Sequence, residues 1–174
     1  MAYGNQVKTD ALSTTYTSEQ YPLGTIYVQQ ADEVVAAKHT DNTTSLGLQG
    51  DRTWMFVQAG VAVNIYDCCV INAIATPLVV KPTDANGSLN HLFVGVAQNA
   101  IALNSYGWIV IRGEAVVKGA AGITAGLLLD TNGGAAAGQC DDDTTVGQLV
   151  GRALTATGTP VAATVAARIP LLCP

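Results

Sequence analysis

Charge is what this chain has least of. Lys, Arg, Asp and Glu make up 12% of its 174 residues, about half the roughly 25% usual in a soluble domain. Eight basic residues (Lys8, Lys38, Arg52, Lys81, Arg112, Lys118, Arg152 and Arg168) stand singly against 13 acidic ones, for a net charge of −5. Neutralising a row of phosphates needs a basic stripe, so neither nucleic acid nor an anionic membrane surface is expected as a partner. Long hydrophobic runs are missing too. Ala85–Ile111 carries no Asp, Glu, Lys or Arg, yet Asn86, Asn90, Gln98, Asn99, Asn104 and Ser105 interrupt it too often for hydrocarbon. The opening stretch has no charged segment leading into an apolar one, so no secretory leader is expected, and synthesis is placed in a cytosol-like compartment.

The residues of reactive chemistry are as sparse. The two histidines, His39 and His91, stand far apart and outside any catalytic motif, and no GxSxG occurs. A nucleophile needs a base beside it and an orienting group behind that base, and the sequence places no such trio together. Glu114 is alone in an apolar run. Asp141, Asp142 and Asp143 are neighbours without the alternate spacing of a calcium loop, which reads as a solvated loop tip. Asp130-Thr131-Asn132-Gly133-Gly134 reads as a hairpin turn. Gly119–Gly126 lacks the Lys-Ser/Thr ending of a phosphate cradle. The four cysteines, Cys68, Cys69, Cys140 and Cys173, form no CxxC pair. Cys68 and Cys69, adjacent on a strand, point to opposite faces and read as core or interface thiols rather than metal ligands. No cofactor, no metal and no enzymatic activity are expected.

What the chain does have is short apolar runs separated by turn residues. Thr25–Val28, Arg52–Val57, Val61–Val63, Tyr66–Ile74, Leu78–Val80, His91–Ala97, Trp108–Ile111, Glu114–Val117, Ile123–Asp130, Gln148–Leu154 and Val161–Ile169 are rich in β-branched and aromatic residues. Gly, Asn, Asp or Pro recurs every 8–12 residues or so between them, the rhythm of an all-β sandwich or barrel. Trp54 and Trp108, lying within such runs, read as core or interface residues rather than sugar-stacking ones. Helical signals are confined to Ala31–Lys38 and Ala135–Gly138. Val94–Ala97 and Val150–Ala153 echo each other, a pattern that duplication or chance in a Val/Ala/Gly-rich chain would both produce. Residues 1–22 have neither period and end at Tyr21-Pro22, where the backbone is biased to extended geometry. The chain therefore divides into an extended N-terminal arm, 1–22, and a β-domain, 23–174. Tyr3, Tyr16 and Tyr21 are candidate partner-binding anchors on that arm.

Three segments carry a family resemblance. They are Arg52-Thr53-Trp54-Met55-Phe56-Val57-Gln58-Ala59-Gly60-Val61-Ala62, then Val94–Ala97 leading to Tyr106–Gly113, and Gly126–Asp130 before Val150–Leu154. Their Gly60-Val61-Ala62, Gly107-Trp108 and Gly151-Arg152-Ala153 elements, over about residues 50–169, resemble the decoration, or cement, proteins of tailed-bacteriophage capsids. The resemblance implies a viral structural protein, a compact β-domain forming a homotrimer on the outer surface of the virion. There it would bind the major capsid protein and stabilise the shell by bridging coat subunits after synthesis in the host cytoplasm. It implies no catalytic residues. A charge-poor surface suits a subunit of an assembly. The alternative from another class is a carbohydrate- or receptor-binding β-module of a fibre or spike, with exposed Trp and Tyr against sugar rings. A β-barrel enzyme is a third.

Overall fold

The computed structural model describes residues 12–30, 50–84, 89–90, 92–131, 136–142, 148–156 and 163–169. They form strands β1 (Ile26–Gln29), β2 (Arg52–Ala59), β3 (Cys68–Ala73), β4 (Thr76–Pro82), β5 (Phe93–Ala97), β6 (Tyr106–Gly119), β7 (Leu128–Asp130), β8 (Leu149–Ala153) and β9 (Ala163–Ile169). The all-β expectation holds. No helix among the described residues is long and apolar enough to cross a membrane. The helical signal at 31–38 and the turn centred on 132–134 lie outside the described residues, and 136–138 is a turn.

Five strands close a ring. β2 pairs β4 in parallel; β4–β3, β3–β5, β5–β6 and β6–β2 are antiparallel. β1 extends β2 at Ile26↔Met55 through Gln29↔Arg52. The second half of β6 leaves the ring to pair β9 from Gly113↔Ile169 to Gly119↔Ala163, and β8 and β7 follow. The strand read as two runs broken at Arg112-Gly113 is thus one strand of 14 residues. Gly113 is where it changes sheets. Its φ is +101, and a Cβ there would stand 2.5 Å from the Asp51 carbonyl oxygen, so only glycine fits; the bulge against β2 comes just before it, between Val110 and Arg112. Val61–Val63, by contrast, is not a strand: only Val63 pairs, in a bridge to Ile101.

The apolar runs look continuous because both faces of the ring strands are covered. Met55, Val57, Ala59, Cys69, Val80, Ala97, Ile109 and Ile111 fill the barrel together with Val63 and Ile101. Their neighbours Trp54, Phe56, Cys68, Val96, Trp108 and Val110 face outward into a second core. That core is completed by Ala115 and Val117 of β6, Leu129 of β7, Val150 and Ala153 of β8, and Ala167 and Ile169 of β9. Cys68 and Cys69 fall on opposite sides as the period of two requires. Each large side chain so buried contributes about 1.5–3 kcal/mol. Gly95 lets β5 close the ring: a Cβ there would sit 2.6 Å from the Val110 carbonyl oxygen.

Candidate interaction surface

The three tyrosines singled out by sequence are not brought together as a free-standing set. Tyr3 lies outside the described residues. Tyr16 and Tyr21 are half-buried against the outer core. Residues 12–22 run along the β-domain: Leu12 is 4% exposed, and Tyr16 exchanges backbone hydrogen bonds with Tyr106, N to O at 2.8 Å in both directions. Asn99 Nδ2 donates to the Leu12 carbonyl at 3.1 Å. Tyr21 sits edge-on to Tyr16 and Phe56, with centroids 6.3 and 5.3 Å away, and 5.3 Å from Trp108. Phe56 in turn stacks on Tyr106. Burial first, then the neighbouring Tyr21, pushes the Tyr16 phenol above its ordinary pKa. These rings fix the segment to the domain, so what they offer a partner is limited to their outer edges.

Both tryptophans are interior. Trp54 is 2% and Trp108 1% exposed, and Trp54 Nε1 donates to Gln29 Oε1 at 3.0 Å. Neither presents a face to a sugar ring, which removes the main feature that favoured a carbohydrate-binding module.

The few charges near the core are tied inward. Asp67 is fully buried; its Oδ2 accepts from Asn64 N–H at 2.8 Å, and Lys118 Nζ stands 3.3 Å from Oδ1. Lys118 also donates to the Ala137 carbonyl at 2.9 Å. Arg52 and Glu114 are buried too; burial lowers the Arg52 pKa to about 10, and Glu114 partly offsets the fall. Asp141 and Asp142 are half-buried. Asp141 pairs its backbone with Asp130, and Asp142 Oδ2 accepts from Thr124 N–H at 2.8 Å. Local backbone donors claim these carboxylates. Asp143, His39 and His91 lie outside the described residues. Among the described residues no three His, Cys, Asp or Glu side chains gather as metal ligands.

Several large apolar side chains are left exposed. On the β7–β8 edge Leu127 is 47%, Leu128 56%, Leu149 39% and Leu154 39% exposed. The register places Leu128 opposite Arg152 and Leu149 opposite Asp130, while Leu127 accepts a hydrogen bond from Ala153 N–H at 2.9 Å. The leucines therefore share one two-stranded strip with Arg152 on it. A second pair, Val61 (47%) and Leu103 (56%), lies at one end of the barrel, beyond the Val63–Ile101 bridge. Sequence reasoning missed the leucine strip because Ile123–Asp130 and Gln148–Leu154 read as ordinary strands. The alternation of Leu128 out and Leu129 in could have exposed it only once the pairing partner was known. No family model matches the chain, and no curated protein matches it in sequence.

Proposed function

We propose that the chain is a structural protein that decorates the outside of a phage capsid, seating its β-domain on major coat subunits and bridging them. The observation that carries this reading is the leucine strip of Leu127, Leu128, Leu149 and Leu154, left in water by a chain that has little charge to offset it. Contact with coat protein would remove that surface from water at about 25 cal/mol per Å² before association costs. Many copies around a shell turn a modest contact into a strong mechanical link. The Gly107-Trp108 and Gly151-Arg152-Ala153 segments support the same reading, and a homotrimer is its expected unit. No step of this role needs a reactive group.

The test mixes the purified chain with shells assembled from a major coat protein of the same source and measures occupancy by co-sedimentation. Saturable binding is expected, with light scattering reading three copies in the free protein. Leu128→Glu with Leu149→Glu changes two exposed side chains, so the fold should persist by circular dichroism while affinity falls at least about tenfold. Unchanged occupancy would remove the strip as the contact, and no binding by the parent chain would remove the reading. Deleting residues 1–11 takes away Tyr3 but keeps Leu12 and the docked tyrosines. Undiminished occupancy then removes Tyr3 as an anchor.

A further inference from the structure

Cys68 of β3 and Cys140 of the segment before β8 belong to the same apolar cluster between the barrel and the second sheet, and both are fully buried. The backbone holds them there from both sides. Cys68 N–H donates to the Gly138 carbonyl at 2.8 Å, two residues before Cys140. Cys140 N–H donates to the Lys118 carbonyl at 3.0 Å, and Ala120 N–H donates back to Cys140 at 2.8 Å. These bonds bring the two cysteines into neighbouring positions of one core. Cys69, one residue away, faces the barrel interior instead, its thiol against the Asp67 carbonyl at 3.5 Å.

We propose that Cys68 and Cys140 are a disulfide-forming pair, closed by exchange with a small disulfide such as glutathione disulfide. This inference stands apart from the capsid reading. The Cys68 thiolate attacks one sulfur of the oxidant, forming a mixed disulfide and expelling one glutathione thiolate. The Cys140 thiolate then attacks the Cys68 sulfur, closing the Cys68–Cys140 bond and expelling the second. The protein loses two protons and two electrons; the oxidant becomes two thiols. The bond would join β3 of the barrel to the segment bridging β6 at Gly119 and closes a loop of roughly 70 residues, long enough to restrict the unfolded chain strongly. The adjacent Cys140, and then burial, hold the Cys68 thiol protonated well above its ordinary range. Exchange must therefore await local opening and is slow in the folded protein.

The experiment uses the full chain carrying Cys69→Ala and Cys173→Ala, with the parent chain in parallel. One sample is incubated folded with excess glutathione disulfide, and another is refolded from urea in its presence. The refolded sample is expected to lose both free thiols, to carry no glutathione adduct, and to join tryptic peptides 53–112 and 119–152. Its melting temperature should rise by roughly 10 °C and return on reduction. A Cys140→Ser variant should show neither the link nor the rise. Linkage in the refolded sample with a reduced folded sample supports the pair and measures the opening barrier. Refolded protein that keeps both thiols, ends as glutathione adducts, links Cys68 elsewhere in the parent chain, or melts no higher once linked overturns it.

Discussion

Gly138 and Gly126 make a matched pair for testing how this fold holds its buried carboxylate. Both adopt the left-handed backbone, with φ of +80 and +88, but their surroundings differ. A Cβ on Gly126 meets nothing within 4 Å. A Cβ on Gly138 would overlap the Asp67 carboxylate and stand 2.8 Å from the Asp67 Cβ. Gly126→Ala therefore carries only the conformational cost, about 1 kcal/mol. Gly138→Ala carries that cost and also displaces Asp67 from Lys118 at 3.3 Å and Asn64 N–H at 2.8 Å. Breaking a wholly buried pair costs about 3–5 kcal/mol. The Lys118 side chain is 35% exposed and can follow its partner or turn to water. The added loss is accordingly placed at about 2–3 kcal/mol, below that range. In melting temperature this is a drop of roughly 2–4 °C for Gly126→Ala and roughly 6–16 °C for Gly138→Ala. Urea denaturation followed by circular dichroism reads the same difference. Equal losses in the two variants would refute the steric argument, and so would a Gly138→Ala loss that survives unchanged in a Gly138→Ala, Asp67→Ala background.

Trp54→Phe leaves Gln29, only 3% exposed, without the indole donor it accepts from, whereas the Trp108 indole N–H is buried with no hydrogen-bond partner. Trp54→Phe should therefore lower the unfolding free energy by about 1–3 kcal/mol more than Trp108→Phe, and equal losses in urea titrations would contradict this. Tyr16 supplies a pH dependence. Its folded pKa is raised above 10.0, so the stability that goes with the neutral phenol is present below that pH and is lost as pH rises through the folded value. Chemical denaturation at a series of alkaline pH values should show a shallower decline for Tyr16→Phe than for the parent; parallel curves would count against it.

Strand positions were legible because β-branched and aromatic runs bounded by Gly, Asn and Pro suffice to locate them. β5 and β9 end where those runs end, and β2 begins where its run begins. What the runs do not contain is the partner of each strand. The ring depends on a parallel β2–β4 pair between segments separated by β3, and on β6 serving two sheets. Neither is encoded in a local period. Gly113 illustrates the limit: an Arg-Gly break reads locally as a turn, and only the approach of the Asp51 backbone shows that the strand runs on through it. The tyrosines show the same limit from the other side. A polar Tyr-bearing stretch reads as an arm, but Tyr16 and Tyr21 find Phe56 and Trp108 on the outward face of the barrel.

The shortage of charge is sharper in three dimensions than in one. Of a set already limited to eight basic and 13 acidic residues, Arg52, Asp67 and Glu114 are withdrawn into the interior, and Lys118 turns to Asp67. Those charges organise the junctions of the fold: Arg52 and Glu114 lie beside Gly113, where β6 changes sheets, and Asp67, just before β3, reaches Lys118 in the second half of β6. Charge spent on the junctions is unavailable to keep the leucine strip of β7 and β8 apart from other protein. The same allocation that fixes the two sheets to each other thus leaves exposed leucines on the β7–β8 edge with few charges beside them, the surface that the proposed contact with coat subunits would remove from water.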